Sequence, residues 1–209
     1  MTKFKEVMNV PNILTMARIA CTPLIVLMFL LPIEKGIGVF VALGIYILGC
    51  FTDLLDGKIA RKYNLITDFG KFMDQIADKF ITTTALILVL FAGVTYVWLE
   101  VLMLLVVVLR DILISGIRMV AANKRIVIAA DMFGKVKSFF LDLGNMILMF
   151  YVGLRACTSG KFVEVARVLG LVIVGIGVIL AVVSCINYSV KAIKALSNVE
   201  QKTAEADKK

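Results

Sequence analysis

The sequence predicts an all-α fold: a polytopic membrane protein with six transmembrane helices plus a short N-terminal interfacial helix. Two observations carry that prediction. The chain is 61% hydrophobic with a mean hydropathy of +0.98, well above the roughly 45–50% apolar content of soluble domains. Its apolar residues also fall into six runs, each near the ~20 residues that a helix needs to cross a bilayer.

Taken in order, MTKFKEVM at the start places Phe4 and Met8 at i, i+4 and suits a helix lying in the interface. The start is too polar for a cleaved signal peptide, and no small-residue cleavage site follows. The first span is predicted at Pro11–Leu31, ended by Pro32, which cannot continue a helix. The others are Gly36–Ala60, Gly70–Phe91, Val97–Ala121, Lys135–Leu154 and Glu164–Ala192. Residues 1–195 read as a single transmembrane domain. Residues 196–209, containing SNVEQKTAEADKK, read as a polar, disordered tail.

Charge sets the topology. The net charge is +8, which on this composition points to anionic lipid headgroups and not to nucleic acid. With both termini on one side, the opposite loops hold only Lys35, Arg155, Lys161 and Arg167, leaving 19 of 23 basic residues on or near the first side. That side is predicted to be cytoplasmic, in the cell membrane. The four cysteines show no paired spacing and read as small apolar side chains in packed helices. Histidine is absent, so a Ser-His-Asp triad and a His-based zinc site are excluded. Any general base is Asp, Glu, Lys, Tyr or Cys.

Against this background, four aspartates stand out within 26 residues: Asp53, Asp56, Asp74 and Asp78. One Asp at the centre of a membrane helix costs about 3 kcal/mol even on lenient scales. Four together need cations. Asp53 and Asp56 are i, i+3 at the end of one helix; Asp74 and Asp78 are i, i+4 at the start of the next. Each pair shares a face, and the short loop between the helices lets both faces meet on the cytoplasmic side. Four converging carboxylates suit two divalent ions, Mg²⁺ or Mn²⁺, and paired ions suit in-line displacement at phosphorus. Gly57, Ala60 and Gly70 allow close approach of a ligand, and Arg61 suits a phosphate oxygen. The competing readings are salt bridges with Lys58, Arg61, Lys71 and Lys79, or a divalent-cation transport site. Gly57, Ala60 and Arg61 have no task in the latter.

The run from Asp53 to Asp78 resembles the signature of the CDP-alcohol phosphotransferases, D-x-x-D-G-x-x-A-R, a spacer, then G-x-x-x-D-x-x-x-D. Asp53, Asp56, Gly57, Ala60, Arg61, Gly70, Asp74 and Asp78 fill every fixed place, with eight residues between Arg61 and Gly70. The resemblance implies six transmembrane helices around a cytoplasm-facing cavity, a homodimer, and release of CMP from a CDP-linked donor. It also implies Asp53, Asp56 and Asp74 as metal ligands, and Asp78 as the base, placed near a metal as well.

Further segments refine the expectation. In PNILTMAR, Asn12, Thr15 and Arg18 recur in steps of three. Asn12 and Thr15 either cap and cross-link helices or contact the nucleotide. Thr67 and Asp68 precede Gly70; Asp68 either caps the helix or touches the cytidine. LRDILISGIR places Arg110 and Arg118 near one face, and GKVKS places Lys135 and Lys137 at the next helix start. Such cations either flank the membrane or bind an anionic acceptor, most simply a phosphate. These segments are similar to R-[DE]-x-x-I-S-x-x-R and G-K-x-K-[ST] in the family's bacterial phosphatidylglycerophosphate synthases. Gln75 and Ser138 depart from their usual Pro and Thr. That resemblance implies CDP-diacylglycerol as donor and glycerol-3-phosphate as acceptor, with serine or an inositol phosphate as the alternative acceptor.

Overall fold

The computed structural model describes residues 10–33, 36–63, 68–123 and 132–206. The predicted interfacial helix and Thr67 lie outside them. Within the described residues the chain is all helical. The helices are α1 (Val10–Leu30), α2 (Ile37–Lys62), α3 (Asp68–Phe91), α4 (Val97–Asn123), α5 (Met132–Cys157) and α6 (Lys161–Ala206).

Among the described residues, three helices are long and apolar enough to span a membrane, over Asn12–Leu30, Gly134–Cys157 and Lys161–Ser197; Ile37–Asp53 is a shorter apolar stretch. The first half of α3 carries Lys71, Asp74, Asp78 and Lys79, and α4 carries Glu100, Arg110, Asp111 and Arg118. These ionisable groups interrupt every stretch of spanning length in the two helices. The tail also differs from the sequence expectation, since α6 continues to Ala206. Its residues include Glu200, Gln201, Lys202, Ala204, Glu205 and Ala206, all good helix formers. Polarity alone had read them as disordered.

The helices gather into two compact units. The first comprises residues 1–97 and 142–172, the second residues 98–141 and 173–209. Both α5 and α6 therefore contribute to each.

In the first unit α1 packs against α2 and α3. Each helix turns one stripe inward at helical spacing. On α1 the buried stripe is Asn12, Thr15, Arg18, Thr22, Ile25 and Phe29. On α2, Ala42, Tyr46 and Gly49 are buried and Asp53 continues the line. On α3, Ala77, Ile81, Ala85 and Leu88 are buried, and Asp74 lies one turn before Ala77. The stripes are polar at the start of α1, the end of α2 and the start of α3, and apolar beyond. Because the helices run up, down and up, these polar portions share one end.

Glycine permits close approaches in this unit, among them those at Gly36 and Gly153. Gly36 has φ +69°, and an added Cβ would lie 2.9 Å from the Gly153 carbonyl oxygen. A Cβ on Gly153 would meet the Phe40 ring at 2.8 Å. At the turn after α3, Arg155 donates to the Ala92 carbonyl at 2.9 Å and Arg167 to the Val94 carbonyl at 3.5 Å. These arginines take up backbone carbonyls of the turn that follows α3.

The second unit is built the same way. The α6 stripe is Val174, Gly177, Ala181, Ser184, Tyr188 and Ala192; Val107, Ile114 and Ala121 of α4 and Leu141 of α5 are also buried. Large apolar side chains such as Leu48, Phe72, Trp98, Ile179 and Ile193 are exposed. On a chain of this hydropathy, that exposure fits a surface in contact with lipid.

Candidate active site

The polar end of the first unit centres on Arg18. Its Nη1 donates to Asp53 Oδ1 and lies 3.5 Å from Asp74 Oδ1. The Arg18 side chain is only 1% exposed, while those of Asp53 and Asp74 are 35% and 50% exposed. One nitrogen thus gathers carboxylates from two helices, and both carboxylates keep an open side. Asn12 and Thr15 are buried on the same stripe as Arg18. Sequence spacing placed Arg18 on this face but did not identify it as a site residue.

Gly49 helps create the convergence. A Cβ there would lie 2.5 Å from Ile81 Cδ1, so glycine lets α2 approach α3 one turn before Asp53. Asp78 is half-buried, one turn beyond Asp74 on α3. Gly70 lies in the first turn of the same helix. Asp56, Gly57, Ala60 and Arg61 ride on the last turns of α2, and Asp68 begins α3; their side chains lie outside the described residues. Among the described residues, no three acidic or cysteine side chains are gathered closely enough to hold a metal ion. The pair Asp53 and Asp74 does share one cation, as hard-oxygen metal ligands must.

Deeper in this unit is a second polar group. Asp142 of α5 accepts from Tyr46 Oη at 2.9 Å and from Thr82 Oγ1 at 2.7 Å. Asn145, one turn on, donates to the Thr82 carbonyl at 3.2 Å. Tyr46 and Asn145 are fully buried. Sequence reasoning did not single out Asp142, although a lone acid in the apolar run FFLDLGNMILMF was a signal.

In the second unit, the predicted acceptor cations divide into two kinds. Asp111 accepts from Arg110 at 2.8 Å and from Lys137 at 2.9 Å. Arg110 Nη2 also donates to Ser184 Oγ at 2.7 Å. Gly134 makes room for this arginine: an added Cβ would stand 3.2 Å from Nη2. Arg118 is exposed, with its guanidinium carbon 5.6 Å from the centre of the Tyr188 ring. Lys135 is exposed and Lys137 buried. Positions two apart point to opposite sides of a helix, so one lysine joins Asp111 and the other faces outward. Asp111 and Ser184 were not foreseen.

A family model described as CDP-alcohol phosphatidyltransferase matches residues 8–190. The chain belongs to this family. It is therefore a transferase, and the matched region includes both the Asp53–Asp78 segment and the cations of the second unit. Among similar proteins is the CDP-diacylglycerol–glycerol-3-phosphate 3-phosphatidyltransferase of Bacillus subtilis strain 168. It is 35% identical over 141 residues, covering 63% of this chain and 71% of that protein. Proteins of the same name from Haemophilus influenzae and Escherichia coli K12 are 32% and 36% identical. The first comparison covers 86% of this chain and 91% of the relative; the second covers 62% and 70%.

Proposed function

We propose that this CDP-alcohol phosphotransferase moves the phosphatidyl group of CDP-diacylglycerol onto glycerol-3-phosphate, giving phosphatidylglycerophosphate and CMP. The observation that carries the reading is the convergence of Asp53 and Asp74 on one cation at the polar end of an apolar helical unit. The names of the relatives supply the donor and acceptor. In this reading the protein is a homodimer in the cell membrane, with six passes and the aspartates facing the cytoplasm. The ionisable residues of α3 and α4 are then turned away from lipid.

The family generally uses divalent metal ions. Asp53, Asp56 and Asp74 would hold two of them, Mg²⁺ or Mn²⁺, with Asp78 close by. The ions would neutralise the donor diphosphate and stabilise charge on departing CMP. The chain's own groups do the rest. Asn12, Thr15, Gly57, Ala60, Arg61, Thr67, Asp68 and Gly70 bind the CDP portion. Arg61 meets phosphate oxygens, and the glycines keep the backbone close. Asp78 takes the proton from the acceptor hydroxyl, whose oxygen attacks the phosphorus carrying the lipid. No covalent enzyme intermediate is required, so phosphorus inverts.

Arg118 and Lys135, being exposed, are available to the acceptor's phosphate. Arg110 and Lys137, both held by Asp111, fix the charge framework around them. A phosphate-bearing acceptor explains this investment in cations; serine would not need it.

The test is CMP release from CDP-diacylglycerol, with glycerol-3-phosphate, glycerol, serine and inositol phosphate added one at a time. Release only with glycerol-3-phosphate is expected. Equal release with glycerol would remove the phosphate site, and preference for another alcohol would reassign the acceptor.

A further inference from the structure

We infer that Arg18 is a resident counter-cation that competes with divalent metal and passes to the donor diphosphate when metal enters. This rests on the proposed metal-ligand role of Asp53 and Asp74.

Arg18 Nη1 bonds Asp53 Oδ1 and lies near Asp74 Oδ1, the oxygens that a divalent ion would need. A guanidinium and a metal ion cannot both occupy the space between them without like-charge repulsion. Metal entry therefore has to move Arg18. The move is constrained because the side chain is 1% exposed and its stripe is buried on either side by Asn12, Thr15 and Thr22. A guanidinium deprived of its carboxylates in such a place is strongly disfavoured unless another anion receives it.

The donor brings that anion. A diphosphate offers oxygens that match the guanidinium fork. It can accept Arg18 as the carboxylates turn to the metal. Metal and donor then favour each other's binding through this side chain, in addition to the direct attraction between the ion and the diphosphate. By linkage the effect is reciprocal, and couplings of this kind are typically about 5–150-fold. Without donor, Arg18 holds α1, α2 and α3 together at their polar end and keeps the two acids compensated.

The experiment titrates the purified full-length protein in detergent with Mn²⁺, read by electron paramagnetic resonance, with and without CDP. Wild type should bind Mn²⁺ weakly alone and more tightly with CDP. Arg18→Gln should bind Mn²⁺ alone about tenfold more tightly, as expected for removing a competing ligand of modest coupling, and gain less from CDP. Arg18→Lys, which keeps the charge, should restore weak binding alone. The inference is overturned if Arg18→Gln binds Mn²⁺ no more tightly than wild type, or if CDP tightens binding equally in both.

Thermal unfolding of the wild type gives a reading independent of any variant. Mn²⁺ and CDP together should raise Tm by more than the sum of their separate shifts, and merely additive shifts count against the inference. If wild type bound no Mn²⁺ even with CDP, the metal-site reading itself would fall. Tight Mn²⁺ binding by wild type without CDP would leave that reading intact and remove only the role of Arg18.

Discussion

Replacing Lys137 by methionine should destabilise the second unit through Asp111, and this loss should not add to the loss from replacing Asp111 itself. Lys137 and Asp111 are 5% and 15% exposed and 2.9 Å apart, and Arg110 also lies on the same carboxylate oxygen at 2.8 Å. Breaking a buried ion pair typically costs about 3–5 kcal/mol, mainly because the remaining charge is left uncompensated. Asp111 keeps Arg110, so Lys137→Met should sit at the low end, about 3 kcal/mol. In Asp111→Asn/Lys137→Met the Asp111–Lys137 pair is removed from both ends, so its loss is counted once, and Arg110 keeps Ser184 and the Asn carbonyl as neutral acceptors. The double variant should then be more stable than the two single losses added together, with a coupling of about 2 kcal/mol. The assay is reversible unfolding in mixed micelles for the four members of the cycle, alongside KM for glycerol-3-phosphate. Both single variants should raise that KM, because each changes the charge framework beside Arg118 and Lys135, while KM for CDP-diacylglycerol stays near wild type. A Lys137→Met cost below about 1 kcal/mol, as for an exposed pair, or strict additivity, would refute the argument that Asp111 organises the cations.

Three further outcomes follow from the site. Asp78→Asn should bind CDP-diacylglycerol but lose a factor on the order of 10²–10⁴ in kcat, the usual size of a general-base contribution; a near-normal rate would place the base elsewhere. Arg118→Ala and Lys135→Ala should each weaken glycerol-3-phosphate use with donor KM unchanged, and sulfate should compete with the acceptor; altered membrane insertion with both KM values intact would make them topology charges. Gly134→Ala sets a methyl 3.2 Å from Arg110 Nη2, so it should raise acceptor KM several-fold, on the scale of the ~1 kcal/mol given to a modest steric shift, and unchanged kinetics would show that Arg110 does not position the acceptor.

The meeting of Asp53 and Asp74 was legible in the sequence because helical spacing assigns each a face and a short loop places their helix ends together. The identity of their common partner was not. Steps of three put Asn12, Thr15 and Arg18 on one side of α1, but spacing within a helix does not say which neighbour that side meets. Asp142 escaped notice for the opposite reason: an acid with no charged neighbour at i±3 or i±4 forms no pattern, although its partners Tyr46 and Thr82 come from distant positions. Lys135 and Lys137 looked equivalent in GKVKS, yet a two-residue step separates their directions, leaving one exposed and one buried. The end of α6 was misread because its polarity was weighed above the helix propensity of Glu, Gln, Lys and Ala.

The central claim is a metal-dependent transfer to glycerol-3-phosphate that depends on the paired aspartates. Its most direct measurement follows ¹⁴C-labelled glycerol-3-phosphate into lipid while CMP is quantified in the same reaction. Wild type should form one labelled phosphatidylglycerophosphate per CMP with Mg²⁺ or Mn²⁺, stop in EDTA, and resume when the ion is restored. Asp53→Ala and Asp74→Ala should form neither product while remaining folded in the membrane. Labelled lipid made at the full rate in metal-free buffer, or by either aspartate variant, would contradict the account.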